Sequence, residues 1–262
     1  MSGSSWVVEK LVTLPGELRD LPFHPADERV ADWYGMEYSF GTIVAAAYLV
    51  ITLVLRLAMP LKSAPFELYY YRLVHNFAMF AVSLYMFLEI MRLGITQGFF
   101  VELERNAQSL PMASVLWVFY ISKIFEFNDT FIMLLRQKYS QVTFLHVYHH
   151  ASVFWIWLLN VRIYPGTFAG AAAAANSFIH VLMYGYYFGS TFGYRPWWKK
   201  YLTQMQMFQF CFMICEGTYL TFFGHPKFRS LGALNGLYAV TLYFLFWNFY
   251  RHAYKKPKTK DQ

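Results

Sequence analysis

The chain holds 262 residues, 57% of them hydrophobic, 21% aromatic and only 14% charged, whereas a soluble domain carries about a quarter charged residues. An ordinary soluble enzyme, a disordered tail and a collagen-like or disulfide scaffold are therefore excluded. A formal charge of +7 reads as basic residues kept on the cytosolic side, or as attraction for a polyanionic substrate; nucleic acid is excluded, because no basic run lies outside the short C-terminal tail.

Residues 1–38 are polar and mixed, with Pro15, Pro22 and Pro25, and lack the apolar core behind a basic start that marks a cleavable signal peptide. Seven apolar segments follow, at 39–59, 71–95, 111–135, 144–163, 167–188, 201–223 and 230–250. Seven spans of about 20 residues use a little over half of the chain. The expectation is an all-α polytopic membrane domain over 39–254, a luminal segment over 1–38 and a cytosolic basic tail over 255–262. Pro60 closes the first segment and Pro165-Gly166 follow the fourth. The fifth opens on Ala169 and Ala171 to Ala175, small residues that let helices approach closely. Cys211 and Cys215 share the sixth segment, so no disulfide staples the loops.

Loop charges set the orientation. With a cytosolic C-terminus the cytosolic set is Lys62, Arg72, Arg136, Lys138, Arg195, Lys199, Lys200, Arg251, Lys255, Lys256, Lys258 and Lys260. The opposite loops hold Arg92, Arg105, Arg162, Lys227 and Arg229, joined by Lys10, Arg19 and Arg29 of the N-terminal segment. The excess has the sign the positive-inside rule requires. Lys260 and Lys258, third and fifth from the end, resemble a dilysine retrieval signal for the endoplasmic reticulum.

Ionisable groups at membrane depth cost several kcal/mol unless paired, and so mark function by default. Four polar clusters interrupt the apolar segments. His146, His149 and His150 open the fourth at spacings of three and four, which fall on one helical face. They fit a metal site, an acyl-transfer site with an imidazole nucleophile or base, or a set of core histidines. Lys123, Glu126, Asp129 and Thr130 lie in the third; an intramembrane ion pair and a catalytic role both suit them. Asn176, His180 and Tyr184 recur every four residues in the fifth, as one polar stripe, with Met183 beside them. Thr203, Gln206 and Gln209 recur every three in the sixth, with Gln204 beside them, where interhelical hydrogen bonding is the simplest reading.

Together the clusters resemble the ELO family of fatty acid elongases. Lys123, Glu126, Asp129 and Thr130 fit its KxxExxDT pattern, and His146, His149 and His150 its HxxHH box. His180, Met183 and Tyr184 fit HxxMY, and Thr203, Gln204 and Gln206 fit TQxQ, all in the family's order over about residues 70 to 255. Phe144 and Leu145 resemble the polyunsaturated-type branch, whereas Phe178 and Ile179 suit another, so the branch stays open.

The resemblance implies a very-long-chain 3-oxoacyl-CoA synthase of the endoplasmic reticulum, with seven spans, six of them around an enclosed acyl-chain tunnel. It would condense a long-chain acyl-CoA with malonyl-CoA, releasing CO2 and CoA. No metal or cofactor beyond those substrates is implied, which moves the three imidazoles toward acyl transfer. His149 is the expected nucleophile, forming an acyl-imidazole, with His150 or His146 orienting it or moving protons and Asp129 behind them. His180 or Asn176 would stabilise the enolate oxygen. Lys199 and Lys200 would hold CoA phosphates, and Lys123, Glu126, Tyr184, Gln204 and Gln206 would complete the substrate site.

Acyl-CoA, malonyl-CoA and membrane lipid are the expected partners, with a second copy of the chain and the other elongation enzymes alongside. The competing readings are a cysteine nucleophile at Cys211 or Cys215, a membrane di-iron desaturase or hydroxylase, and a seven-span receptor or transporter. The di-iron reading needs about eight clustered histidines, whereas His24, His75, His225 and His252 stand isolated in sequence.

Overall fold

The computed structural model describes residues 26–100 and 107–254. Seven long helices, with no strand among the described residues, account for the architecture: α1 Tyr38–Ala58, α2 Tyr69–Gln97, α3 Leu110–Leu135, α4 Phe144–Ile163, α5 Thr167–Thr191, α6 Leu202–Phe223 and α7 Arg229–Tyr254. At 1.5 Å per residue each is about 30 Å long or more, the thickness of a bilayer core. Their ends follow from local chemistry. Pro60 tightens the end of α1 into a 3-10 turn, Met59–Leu61. Gly98, at φ 90°, closes α2 in a conformation other residues avoid. The side chain of Thr143 caps α4 by accepting from the backbone N–H of His146.

Four stretches have long, strongly apolar windows: Tyr38–Leu61, Tyr69–Gln97, Ala107–Leu135 and Pro226–Ala253. Helices α4, α5 and α6 fall short of that hydropathy because they carry the histidine, asparagine and glutamine side chains. Most of the alanine run of α5 is buried against its neighbours, whereas α6 still turns Phe208, Phe222 and Phe223 outward. The protein is a multi-pass membrane protein.

Helix α2 packs chiefly along α5, and α6 along α7. The alanine run supplies the first contact: Ala169, Ala172, Ala173 and Ala174 are buried in the same core as Met86, Ile90 and Leu93 of α2. Along the second, α6 and α7 approach to backbone contact at Gly217, where an added Cβ would lie 2.6 Å from the backbone N of Gly236. Helix α1 leans on α3 and α4 from outside. Residues 26–37 are not a free polar tail. Val30 and Met36 are fully buried in the main core, and Arg162 Nη1 donates to the carbonyl of Met36 at 2.6 Å. Lys10, Arg19, Arg105 and the dilysine tail lie outside the described residues.

Candidate active site

The polar clusters meet at one end of the bundle. In α3, a spacing of three puts Lys123 and Glu126 on one face, and Lys123 Nζ donates to Glu126 Oε1 at 2.7 Å. Both side chains are almost wholly buried. The same ammonium lies 3.9 Å from the ring centre of Phe119 and donates to Asn176 Oδ1 at 3.1 Å. An ammonium only donates, so Asn176 must turn its carbonyl to Lys123 and keep its NH2 free for another partner. Glu126 Oε1 also lies 3.2 Å from His180 Nδ1, which ties α3 to α5.

Asp129, one helical turn on, is held separately. His75 Nε2–H donates to its Oδ1 at 2.9 Å, and the Tyr184 hydroxyl donates to Oδ2 at 2.6 Å. The histidine box is therefore not backed by Asp129 through a direct hydrogen bond, contrary to the role expected from the family resemblance. His146 Nε2 instead meets Thr130 Oγ1 at 2.8 Å, and Thr130 meets the hydroxyl of Tyr48 from α1 at 3.0 Å. His75, isolated in sequence, belongs to this network.

The three box histidines face different ways. His146 is fixed by Thr130, whereas the Nδ1 atoms of His149 and His150 have no hydrogen-bond partner among the described residues. The ring centres of His146 and His150 are 4.5 Å apart, those of His149 and His150 5.5 Å. Among the described residues, no three His, Cys, Asp or Glu side chains are grouped so as to hold one metal ion.

Two cavities adjoin these groups. A polar chamber of about 610 Å³ is lined by His146, His149, His150, Glu126, Asp129, His180, Tyr184 and Gln206. Its rim carries Arg72, Arg136 and Lys199. All six of helices α2 to α7 contribute to it, and α1 does not. A narrow apolar crevice of about 40 Å³ runs between α4, α5, α6 and α7. It is lined by His149 and Asn176 at one end, and farther along by Leu220, Phe228 and Leu231. His149 lines both.

Most of the expected site residues therefore converge, with exceptions. Lys123 lines neither cavity and serves as the buried counter-ion of Glu126. Gln204 turns outward and donates to the Tyr250 hydroxyl at 2.8 Å, so it does not reach the chamber where Gln206 stands. Lys199 reaches the rim with its ammonium 5.0 Å from the ring centre of Tyr186; the side chain of Lys200 lies outside the described residues. Cys211 and Cys215 are exposed on α6 and line neither cavity. Sequence reading missed His75 and Thr130 as partners and Arg72 and Arg136 as rim cations. The last two were visible only as loop charges.

The sequence signature of the ELO: GNS1/SUR4 family matches residues 33–262, a start some 40 positions earlier than the motifs alone indicate. Very long chain fatty acid elongase 4 of Mus musculus is 34% identical over 245 residues, covering 89% of this chain and 78% of that protein. Elongase 5 of Rattus norvegicus is 37% identical over 242 residues, covering 88% and 80%. Elongase 1 of Homo sapiens is 34% identical over 228 residues, covering 83% and 82%. With the four motifs gathered around one chamber and a match that spans every helix, the chain belongs to the ELO family.

Proposed function

We propose that the protein is a fatty acid elongase, a 3-oxoacyl-CoA synthase that joins a long-chain acyl-CoA to malonyl-CoA. The observation that carries this reading is the position of His149. Its imidazole stands where the polar chamber meets the apolar crevice, so a thioester whose acyl tail occupies the crevice and whose CoA fills the chamber has its carbonyl at His149. The tail must widen the crevice as it enters.

In the first half-reaction an imidazole nitrogen of His149 attacks the thioester carbonyl and the C–S bond breaks. The proton lost from the acyl-imidazolium passes to the departing thiolate, giving CoA and an acyl-imidazole. His150, with an unpaired ring nitrogen nearby, suits that transfer. In the second half-reaction malonyl-CoA loses CO2, and its enolate carbon attacks the acyl group. The C–N bond breaks, and the imidazole recovers a proton.

The Asn176 NH2 group, left free by Lys123, is the enolate-stabilising donor favoured here, with His180 beside it. Arg72, Arg136 and Lys199 at the rim suit the CoA phosphates. They belong to the loop set expected on the cytosolic side, so this reading takes with it a cytosolic C-terminus and an endoplasmic-reticulum membrane as the setting. Roles for a homodimer and for the other elongation enzymes belong to the same proposal, as do the absence of a metal cofactor and the division of the chain at residues 38 and 254.

The test is incorporation of radiolabelled malonyl-CoA by membranes expressing the protein, supplied with a panel of acyl-CoAs. Condensation should be lost in His149→Ala and kept in Cys211→Ser. Activity that survives in His149→Ala and vanishes in Cys211→Ser would overturn the assignment.

A further inference from the structure

Glu216 is the one carboxylate among the side chains lining the apolar crevice. It sits in the middle of α6, at membrane depth, where nothing in the condensation chemistry calls for it. Among the described residues no hydrogen-bond donor or cation meets its carboxyl group, which opens onto the crevice. An ionisable group in such a place is kept only where something comes to pair with it.

Its level in the bundle is set by its neighbours. Gly217, next in sequence, closes against Gly236 of α7. Asn235, adjacent to Gly236, exchanges two hydrogen bonds with Asn160 of α4, at 3.0 and 2.7 Å. Asn160, Glu216 and Asn235 thus form a polar belt from three helices across one depth of the crevice, and all three line it. The two amides satisfy each other; the carboxyl is left over. His149 is level with Phe246 and Phe210, which pack against one another. Glu216 lies about 9 Å farther along α6 at 1.5 Å per residue.

The lining continues beyond Glu216 to Leu220, Phe228 and Leu231, so the carboxyl flanks the path of a chain rather than ending it. A saturated tail passing this belt leaves the carboxyl unmatched. A hydroxyl both donates and accepts, and pairs with a carboxyl in either protonation state.

We infer that Glu216, with the Asn160–Asn235 pair, is a selectivity site for acyl chains that carry a hydroxyl group part-way along their length. The inference rests on the elongase reading and specifies its substrate class. The experiment compares two acyl-CoAs of equal length, one saturated and one with a mid-chain hydroxyl. It measures malonyl-dependent condensation and the ligand-induced rise in unfolding temperature of the purified full chain.

Wild type should favour the hydroxylated substrate by about tenfold or more in kcat/KM, the scale of a hydrogen bond to a carboxyl group. Glu216→Leu should erase that preference while keeping or raising activity on the saturated chain, and Glu216→Gln should retain part of it. Equal use of both substrates by wild type, or an unchanged preference in Glu216→Leu, overturns the inference. So does a Glu216→Leu enzyme whose only change is longer saturated products. Should condensation fail with every substrate, the elongase reading is what falls, and the unfolding shifts still decide the site: a larger rise with the hydroxylated chain that Glu216→Leu abolishes supports it, and equal rises overturn it.

Discussion

Asp129 is held from two sides, and that makes His75 testable. The imidazole lies parallel beneath Tyr71, with an interplanar angle of 3°, and the Tyr71 hydroxyl donates to Asn128 at 2.7 Å. His75 is thus fixed against α3 while it donates to Asp129. Tyr184, the other donor to Asp129, stands edge-on to His180 with ring centres 5.7 Å apart. Loosening Asp129 therefore frees a ring that packs against His180. His75 acts as a positioning residue, since it lines neither cavity. Replacing it with Leu should lower kcat by roughly 10- to 100-fold, the usual scale for partners that orient a site, with KM for malonyl-CoA little changed. His75→Gln, which keeps a donor, should recover most of the loss. Steady-state kinetics on the three proteins decides it, and an unchanged kcat in His75→Leu would remove His75 from the account.

The residue scale also shows where sequence spacing succeeds. Spacings of three and four correctly paired Lys123 with Glu126, and the Thr203, Gln206 stripe faces the chamber. Gln204 entered the expected site through its motif alone. It lies about 100° around the helix from Thr203, so the stripe itself carried the signal that it would point elsewhere. His75 and Asp129 are 54 positions apart, and no periodicity within α2 or α3 reports how those two helices are set against each other.

Among the elements, the α6–α7 pair depends on the closest approach. Gly217→Ala would put a methyl 2.6 Å from a backbone nitrogen and 2.8 Å from the Gly232 carbonyl oxygen, neither of which can swing away. At Gly236 the nearest atom to an added Cβ is 3.6 Å away, an ordinary contact. Gly217→Ala should therefore destabilise the protein by about 1–3 kcal/mol. Gly236→Ala should be neutral or stabilising, since Ala is the better helix former by about 1 kcal/mol. Thermal unfolding of the two variants in detergent reads the contrast directly; equal losses would mean that the crossing is looser than described. Helix limits were legible to within about four residues, because Pro60, Gly98, Thr143 and Pro165-Gly166 punctuate the chain. The crossing was not, since a glycine reads the same in sequence whether it faces a helix or lipid.

At the scale of the whole molecule, the apolar excess divides into two functions. Helix α1 and the outer faces of the others present apolar side chains outward, among them Leu53, Leu57 and Phe222. The inner faces of α2 to α7 enclose a chamber and a crevice with opposite chemistry. The expectation drawn from family resemblance was six helices around an enclosed acyl-chain tunnel; six line the polar chamber, and four line the apolar crevice. The crevice that meets the chamber at His149 was beyond reach of the sequence, because its lining comes from four helices separated by loops.

The central claim is that His149 carries the acyl group between the two substrates. The most direct measurement is incubation of the purified protein with a long-chain acyl-CoA alone, without malonyl-CoA, followed by peptide mass spectrometry and titration of released CoA. The account predicts an acyl mass on His149 with up to one CoA released per chain, and neither in His149→Ala. CoA that appears only after malonyl-CoA is added, or an acyl mass on Cys211 or Cys215, would contradict it.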